Sequence, residues 1–235
     1  LLPVCSVLSR YCFTSSSGAN AEAPTITFIS FWAKRSNALA PIRGALRSAA
    51  TRLATHRDPD IRMHALRLAA KVDHPQAPTL LRRGLADRNA LVRRAAGTEA
   101  VIVASRQPAR RTALAQLLTS DLGRQLWYEQ LDRLARLGEL GATEALPVLQ
   151  RFARSPHGFL AEAAVRALGK LGDRRGLATV RAALTYRADL VRVAAVESLA
   201  RLEGARAKPT LTRLARQDPS ERVRRAAKRW LTKLR

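Results

Sequence analysis

The stretch DPSERVRRAA (residues 218–227) is closely matched by DRNALVRRAA (87–96) and more loosely by ADLVRVAA (188–195). Each stretch contains an Asp, then an aliphatic residue directly followed by Arg, then a pair of alanines. Related stretches recur about every 31 to 34 residues from about residue 40 onward. A period of this length is typical of proteins built from stacked structural repeats.

The repeat carries the period of an α-helix. Alignment on one apolar residue per unit gives the anchors Ile61, Val92, Leu126, Leu160, Val191 and Val223. Four residues later every unit has Ala except the third, which has Gln130, and eight residues later every unit has Ala or Leu. The spacing i, i+4, i+8 traces one face of a helix, and the small side chains predict that these helices cross at close range.

Each of these helices follows another apolar helical segment, so that one unit is a helical hairpin. Asp58-Pro59, Ser155-Pro156 and Asp218-Pro219 separate the two helices, since Asp or Ser caps a helix and Pro fits its first turn. Four glycines are expected to end second helices: Gly138, Gly141, Gly172 and Gly204. A single hairpin cannot bury its apolar face, so neighbouring units must stack.

The sequence therefore predicts an all-α solenoid over residues 39–235, with an irregular extension at residues 1–38. The stretches at 87–96, 188–195 and 218–227 resemble HEAT repeats, and AVRALGKLGD (164–173) is similar to the HEAT-like repeats of phycobilisome lyases and their relatives. The resemblance implies a right-handed, armadillo-type α-solenoid of about six HEAT-like hairpins. It leaves function open, because such repeats serve many roles. The third unit departs furthest, with Trp127 and Gln130 in place of the usual Arg and Ala.

The charge is far from balanced. Lys and Arg number 42 against 18 Asp and Glu, which gives a formal net charge of +24. Nucleic acid is the usual partner of such a surface, because Arg binds phosphates in a bidentate fashion; an anionic membrane surface is the lesser alternative. A GC-rich coding sequence would explain Arg in place of Lys but not the shortage of acidic residues. We therefore expect a polyanionic partner.

Two basic rows appear when the second helices are aligned. The first row, one residue past the anchor, is Arg62, Arg93, Trp127, Ala161, Arg192 and Arg224. In HEAT-like families such arginines pair with Asp in a ladder between repeats, and Asp residues precede several of these positions. We interpret this row as structural.

The second row lies ten residues past the anchor, in the last turn of each second helix. Its members are Lys71, Ile102, Arg136, Lys170, Arg201 and Lys233. Cations in a last turn offset the helix dipole by about 0.3–1 kcal/mol each. They would also form a basic ridge along one edge of the solenoid, and both interpretations stay open.

The densest basic segment is residues 206–235. On its last helix Arg225, Lys228 and Arg229 share a face, and no acid at that spacing is expected to offset them. Trp230 is expected to belong to the core. The candidate nucleic-acid-binding residues are Arg206, Lys208, Arg213, Arg222, Arg225, Lys228, Arg229, Lys233 and Arg235 of this segment, with Lys71, Arg136, Lys170 and Arg201 of the second row.

Nothing in the sequence indicates catalysis. The histidines are His56, His64, His74 and His157. None has the spacing of a metal ligand, and no Gly-rich phosphate loop follows a strand, so we expect no catalytic residue, metal, cofactor or small-molecule substrate. The enzymatic alternative, less favoured, is a HEAT-like DNA glycosylase with Trp127, Tyr128, Glu129 and Asp132 on one second helix.

Residues 1–38 carry no repeat. Glu22 is their only acidic residue and Ser15 to Ser17 form a serine cluster, a composition typical of organellar targeting sequences. We expect the mitochondrial matrix, with a plastid as the alternative; a secretory signal, a flexible tail and a tail embedded in an assembly stay open. Cys5 and Cys12 both lie in this extension. No apolar run is long enough to span a membrane.

Charge, extension and solenoid together favour one function. We expect a non-catalytic, RNA-contacting component of a large ribonucleoprotein, namely an organellar (mitochondrial) ribosome, which contacts rRNA and neighbouring proteins. The alternative is a protein–protein scaffold, an assembly factor or an accessory subunit of an organellar respiratory or photosynthetic complex.

Overall fold

The computed structural model describes residues 40–234, so the extension with Cys5 and Cys12, and also Arg235, lie outside the described residues. The helical repeats lie in one compact unit, Ala45–Arg235. The helices are α1 (Ala40–Leu53), α2 (Pro59–Lys71), α3 (Ala77–Leu85), α4 (Ala90–Arg106), α5 (Arg111–Thr119), α6 (Trp127–Leu140), α7 (Leu146–Ala153), α8 (Gly158–Leu171), α9 (Leu177–Ala183), α10 (Asp189–Glu203), α11 (Lys208–Gln217) and α12 (Glu221–Lys233).

The helices form a solenoid of hairpins. Five hairpins, from α3–α4 to α11–α12, follow one another along the chain, and α2 packs against α3 and α4 at the start of this array. Each second helix packs against the second helix of the next unit, which makes a continuous layer of α2, α4, α6, α8, α10 and α12. The described residues contain no strand, so the prediction of an all-α solenoid is confirmed. None of the helices among them is long and apolar enough to cross a membrane.

The predicted small side chains lie where the second helices cross. The alanines four residues past the anchors are almost fully buried: Ala65, Ala96, Ala164, Ala195 and Ala227. Gln130 takes this place in the third unit, where it is buried and its side-chain amide donates to the carbonyl oxygen of Gln125 at 3.0 Å. The register of the third unit is therefore kept at the crossing.

The prediction that Leu126 is the apolar anchor of the third unit is wrong. Leu126 does not begin the buried face of α6; it lies just before the helix, in the N-cap position, and is exposed. The reason is local, because the corner between α5 and α6 contains an extra 3-10 turn, Leu122–Arg124. The buried face of α6 starts instead at Gln130 and continues with Arg133 and Leu134.

Three of the four predicted terminator glycines end second helices. Gly141, Gly172 and Gly204 follow α6, α8 and α10 with positive φ angles. Gly138 instead lies inside α6, where a Cβ atom would be 2.6 Å from the Cα of Ala167 on α8. Gly169 has the same role one unit later, since its Cβ would lie 2.8 Å from the Cα of Ser198 on α10. These glycines therefore permit backbone contact between second helices.

The predicted Asp-Pro and Ser-Pro corners lie between the helices, but only one is placed as expected. Asp58 caps α2 and Pro59 begins it. Pro156 and Pro219 lie before α8 and α12, which begin two residues later. Ser155 and Asp218 accept backbone N–H groups two residues on, so they shape the turn rather than cap the helix.

The close crossing gives a stability prediction. Gly138→Ala should lower the free energy of unfolding by about 1–3 kcal/mol, because the added methyl group meets backbone atoms of α8 that cannot move aside. Helix propensity alone would favour Ala by about 1 kcal/mol. Urea denaturation followed by circular dichroism measures the difference.

Gly158→Ala is the matched control. A Cβ at Gly158, also helical, meets only the Cβ of Ala188 at 3.7 Å, an ordinary contact. This variant should be as stable as the parent or slightly more stable. Equal destabilisation by the two substitutions would contradict the assignment of Gly138 to a backbone contact.

Candidate nucleic-acid interface

Arginines of the first basic row form a ladder between units. Arg62 on α2 donates from Nε and Nη2 to the two carboxylate oxygens of Asp87, at 2.7 and 2.8 Å. Arg192 on α10 binds Asp218 in the same way, at 3.1 and 3.0 Å. In both cases Nη1 donates to carbonyl oxygens of the arginine's own hairpin corner. The structural interpretation is therefore confirmed for Arg62 and Arg192.

The other two arginines keep the corner contact but differ in the acid they meet. Arg93 donates to the carbonyl oxygen of Asp87 and pairs with Glu129 on α6, a partner that the sequence pattern did not indicate. Arg224 donates to the carbonyl oxygens of Asp218 and Pro219 and has no ion pair within the described part of the chain. All four guanidinium groups are thus held by the fold.

The second basic row is also largely engaged within the solenoid. Arg136 pairs with Asp132 and Glu139, and Lys170 donates to Glu139 at 3.0 Å. Arg201 and Lys233 lie over the ring of Trp230, at 5.9 and 5.0 Å from its centroid. Trp230 itself is half-buried against the core, as expected. The row therefore presents fewer available cations than the sequence suggests.

Lys71, the remaining cation of this row, is half-buried near a buried acid. Burial raises the pKa of Glu99, although Arg67, Lys71 and Arg106 favour its ionised form. The ion-pair contact of Glu99 with Arg67 is long, at 4.0 Å between Oε1 and Nε. The charge of Lys71 therefore partly stabilises the ionised carboxylate of Glu99 inside the solenoid.

Two acids lie against the basic face of the last helix, Glu221 on α12 itself and Glu197 on α10. Arg225 pairs with Glu221 one turn before it, and Arg229 donates to Glu197 of the preceding unit at 2.9 Å. The expectation that no acid offsets this face is wrong, because Glu221 stands four residues before Arg225 and α10 supplies Glu197. Only Lys228 of these three cations has no ion pair among residues 40–234.

A smaller set of cations remains available at this end of the solenoid. We define the C-terminal basic surface as the cations of residues 206–234 whose side chains have no ion pair, hydrogen bond or ring contact with another described residue: Arg206, Lys208, Arg213, Arg216, Arg222 and Lys228. All are exposed except Lys208, which is half-buried. Arg216 was not among the predicted site residues, although its position three residues after Arg213 on α11 indicates a shared face.

An open groove adjoins this surface. It has a volume of about 350 Å³, lies between the corners of the last two hairpins, and is lined by Arg187 and Arg213 among others. Arg187 was not predicted from the sequence, because corners carry no helical period. Its Nη2 donates to the carbonyl oxygen of Pro156 at 2.8 Å, which leaves donors for a ligand.

His74 and the carboxylates of α6 are held by other residues of the described solenoid. No cluster of His, Cys, Asp and Glu suited to a metal ion occurs among the described residues. His74 is buried, its ring accepts from the backbone N–H of Gln76 at 3.0 Å, and burial lowers its pKa. Trp127, Tyr128, Glu129 and Asp132 do share α6, but both carboxylates are bound by arginines. Neither carboxylate of α6 is therefore free to act as the acidic residue that the glycosylase alternative requires.

The C-terminal part of the chain is similar to a known family of repeats. Residues 160–232 match the family described as HEAT repeats, which covers α8 to α12. The resemblance to HEAT-like repeats is thereby supported for the C-terminal part of the chain; the similarity to phycobilisome lyases stays a prediction. No curated protein matches the chain.

Two carboxylates of the second-helix layer, the buried Glu99 and the exposed Glu139, should respond oppositely to neutralisation. Glu99→Gln should raise the free energy of unfolding at pH 7, because the ionised form is disfavoured where the pKa of the folded state is raised. This gain should fade as pH falls through the folded pKa of Glu99. Urea denaturation at several pH values measures it.

Glu139→Gln is the opposing control. Burial alone would raise the pKa of Glu139, but hydrogen bonds from Lys170 and Arg136 outweigh it and lower the pKa. Its stabilisation is present above the unfolded pKa and lost as pH falls through the folded pKa. The variant should therefore be less stable than the parent at pH 7, with a difference that fades in acid. The same sign for both substitutions would contradict this assignment.

Proposed function

We propose that the chain is a non-catalytic scaffold that contacts the phosphate backbone of RNA through its C-terminal basic surface, within a large ribonucleoprotein. One observation carries the proposal: this surface keeps its charge after the internal ion pairs are assigned. The acids among residues 206–234, Asp218 and Glu221, are already bound by Arg192 and Arg225. An uncompensated group of cations on a rigid support favours a polyanion.

The geometry favours backbone contact over base reading. The cations stand on α11, on α12 and on the 3-10 turn before α11, without a repeated pair of side chains that would read one base per unit. Arg213 and Arg187 share a groove with room for a phosphate group. Arginine offers donors in a planar fork that matches phosphate oxygens. Recognition would then follow the shape and charge of the RNA.

We propose more specifically that this scaffold belongs to an organellar ribosome in the mitochondrial matrix. The support is the acid-poor, Ser-containing composition of residues 1–38 together with the basic solenoid. RNA in a ribosome is neutralised by basic proteins of this kind, which also contact protein neighbours.

A protein–protein scaffold is the second candidate. The match of residues 160–232 to HEAT repeats favours it, because this repeat type generally mediates protein interactions and is generally non-catalytic. A solenoid has more than one face, so that RNA contact at one end is compatible with a protein partner elsewhere.

The test is a charge-neutralising variant. Arg213→Gln, Arg216→Gln and Lys228→Gln in one chain should weaken binding of a 20-nucleotide oligouridylate roughly tenfold at 0.1 M salt, because three phosphate contacts are lost. The slope of log affinity against log salt should fall by about 2. Fluorescence anisotropy over a series of KCl concentrations measures both.

The control removes the same charge elsewhere. The control variant combines Arg82→Gln, Arg83→Gln and Arg151→Gln. These three arginines are exposed and have no ion pair in the described part of the solenoid. This variant should retain affinity and salt slope within about twofold. Identical behaviour of the two triple variants would place the contact elsewhere, and a parent protein that binds no RNA at low salt would refute the proposal. For the ribosome, RNase-sensitive co-sedimentation with ribosomal subunits is the expected result.

A further inference from the structure

A second surface lies in the middle of the solenoid and is apolar. The large hydrophobic residues exposed among the described ones are Leu91 (60%), Leu126 (57%), Trp127 (48%), Tyr128 (48%) and Phe159 (55%). They stand at or just before the first turns of α4, α6 and α8, which follow one another in the second-helix layer. We call them the aromatic ridge. Contiguous exposed apolar residues with a polar rim mark interaction sites.

The rings of the ridge are in mutual contact. Trp127 and Phe159, from consecutive units, have centroids 6.2 Å apart and planes 23° apart. Tyr128 meets Trp127 edge to face at 6.0 Å, and His157 lies 5.3 Å from Trp127. These contacts hold the rings in place, so that little side-chain freedom remains to be lost on binding.

The ridge replaces the arginine ladder. Trp127 and Ala161 stand where the first, second, fifth and sixth units have the ladder arginine. The junction between α6 and α8 therefore exposes apolar rings where the α2–α4 and α10–α12 junctions have Arg–Asp pairs. Half-exposed Trp and Tyr add nothing to solubility, and both residues are enriched at protein interfaces.

The rim of the ridge is positive. The side chains of Arg94 and Arg124 are 70% and 88% exposed, and their ion-pair contacts are long, 3.7 Å to Asp132 and 3.8 Å to Asp121. At the other end Arg187 is held at the carbonyl oxygen of Pro156, next to His157. The nearby acids Glu129 and Asp132 already accept from arginines. The charge around the ridge therefore selects for an acidic ligand.

A groove opens beside the ridge. It lies between α4 and α6 and has a volume of about 540 Å³. Leu91, Tyr128 and Leu131 form its apolar side, and its polar side consists of Arg94, Arg133 and the ion-paired residues Arg93, Glu129 and Asp132. This volume suits one or two large apolar side chains of a bound segment. Arg94 stands in its wall, within reach of a carboxylate carried by the same segment.

We propose that the aromatic ridge docks an acidic, amphipathic segment of a partner protein. Its leucine or aromatic side chains enter the groove and cover the rings, while its carboxylates pair with Arg94 and Arg124. A stacked RNA base fits less well, because Leu91 and Leu126 offer no ring and His157 already covers part of Trp127. This proposal goes beyond RNA contact and involves other units of the solenoid than the α11–α12 cations.

The experiment uses the full chain and a phage-displayed library of random 16-residue peptides. We expect the selected peptides to be net negative with at least two Leu, Phe or Trp residues. Trp127→Ala with Phe159→Ser should reduce their affinity at least tenfold, and Arg94→Gln about threefold with a weaker salt dependence. Leu91 and Tyr128 remain in these variants, and all substituted side chains are exposed, so folding is checked by an unchanged urea midpoint.

A single-tryptophan variant reports on the site itself. Trp32→Phe with Trp230→Phe leaves Trp127 as the sole tryptophan, and its emission should shift to shorter wavelength when a selected peptide binds. The matched chain that retains only Trp230 should show no shift. Oligouridylate should leave both emissions unchanged and should not displace the peptide.

Several outcomes would overturn the proposal. Selected peptides that bind the Trp127/Phe159 variant equally well, or that are neutral or basic, would exclude this docking surface. Quenching of Trp127 by oligouridylate would assign the rings to base stacking instead. Self-association of the parent that the double variant abolishes would assign the ridge to a second copy of the chain. None of these results bears on the Arg213, Arg216 and Lys228 test, so the two proposals fail separately.

Discussion

The structure depends on how closely the second helices approach one another. Alanines such as Ala164 and Ala195 lie fully buried at the crossings, and Gly138 and Gly169 bring backbone against backbone in the α6–α8–α10 layer. Packing at this distance leaves little room for neighbouring units to slide or rotate. The positions of the side chains at the helix ends are therefore fixed from unit to unit, which is why arginines, acids and rings of separate repeats meet in regular rows.

The sequence predicts the repeat well because the helical period is a property of each unit alone. It fails where one corner changes length: the added 3-10 turn before α6 moves Leu126 out of the helix, although Gln130 and Leu134 keep the register. It also misjudges Gly138. A glycine near the end of a helical pattern resembles a terminator, whereas its small size matters only once Ala167 of the next unit is known to lie against it.

The candidate site is harder to predict for a related reason. Whether a cation is available depends on acids about one repeat away, such as Glu197 for Arg229 and Glu139 for Lys170, which are 32 and 31 residues apart. Counting charges along one helix does not reveal such pairs. The sequence places aromatic residues on α6, but the contacts of Trp127 with His157 and Phe159 arise only from the stacking of two units.

The ion pairs of the arginine ladder constrain which insertions and deletions leave the contacts between neighbouring hairpins intact. Each rung joins an arginine of one hairpin to a carboxylate of the following hairpin, as Arg62 joins Asp87 and Arg192 joins Asp218. The α3–α4 hairpin has both partners, since Asp87 accepts from Arg62 of the hairpin before it and Arg93 pairs with Glu129 of the hairpin after it. It is thus a module with an acceptor on one side and a donor on the other. Gain or loss of a whole module restores the matching pair at the new junction, whereas a gain or loss of a few residues within one module displaces the pairs on both of its sides.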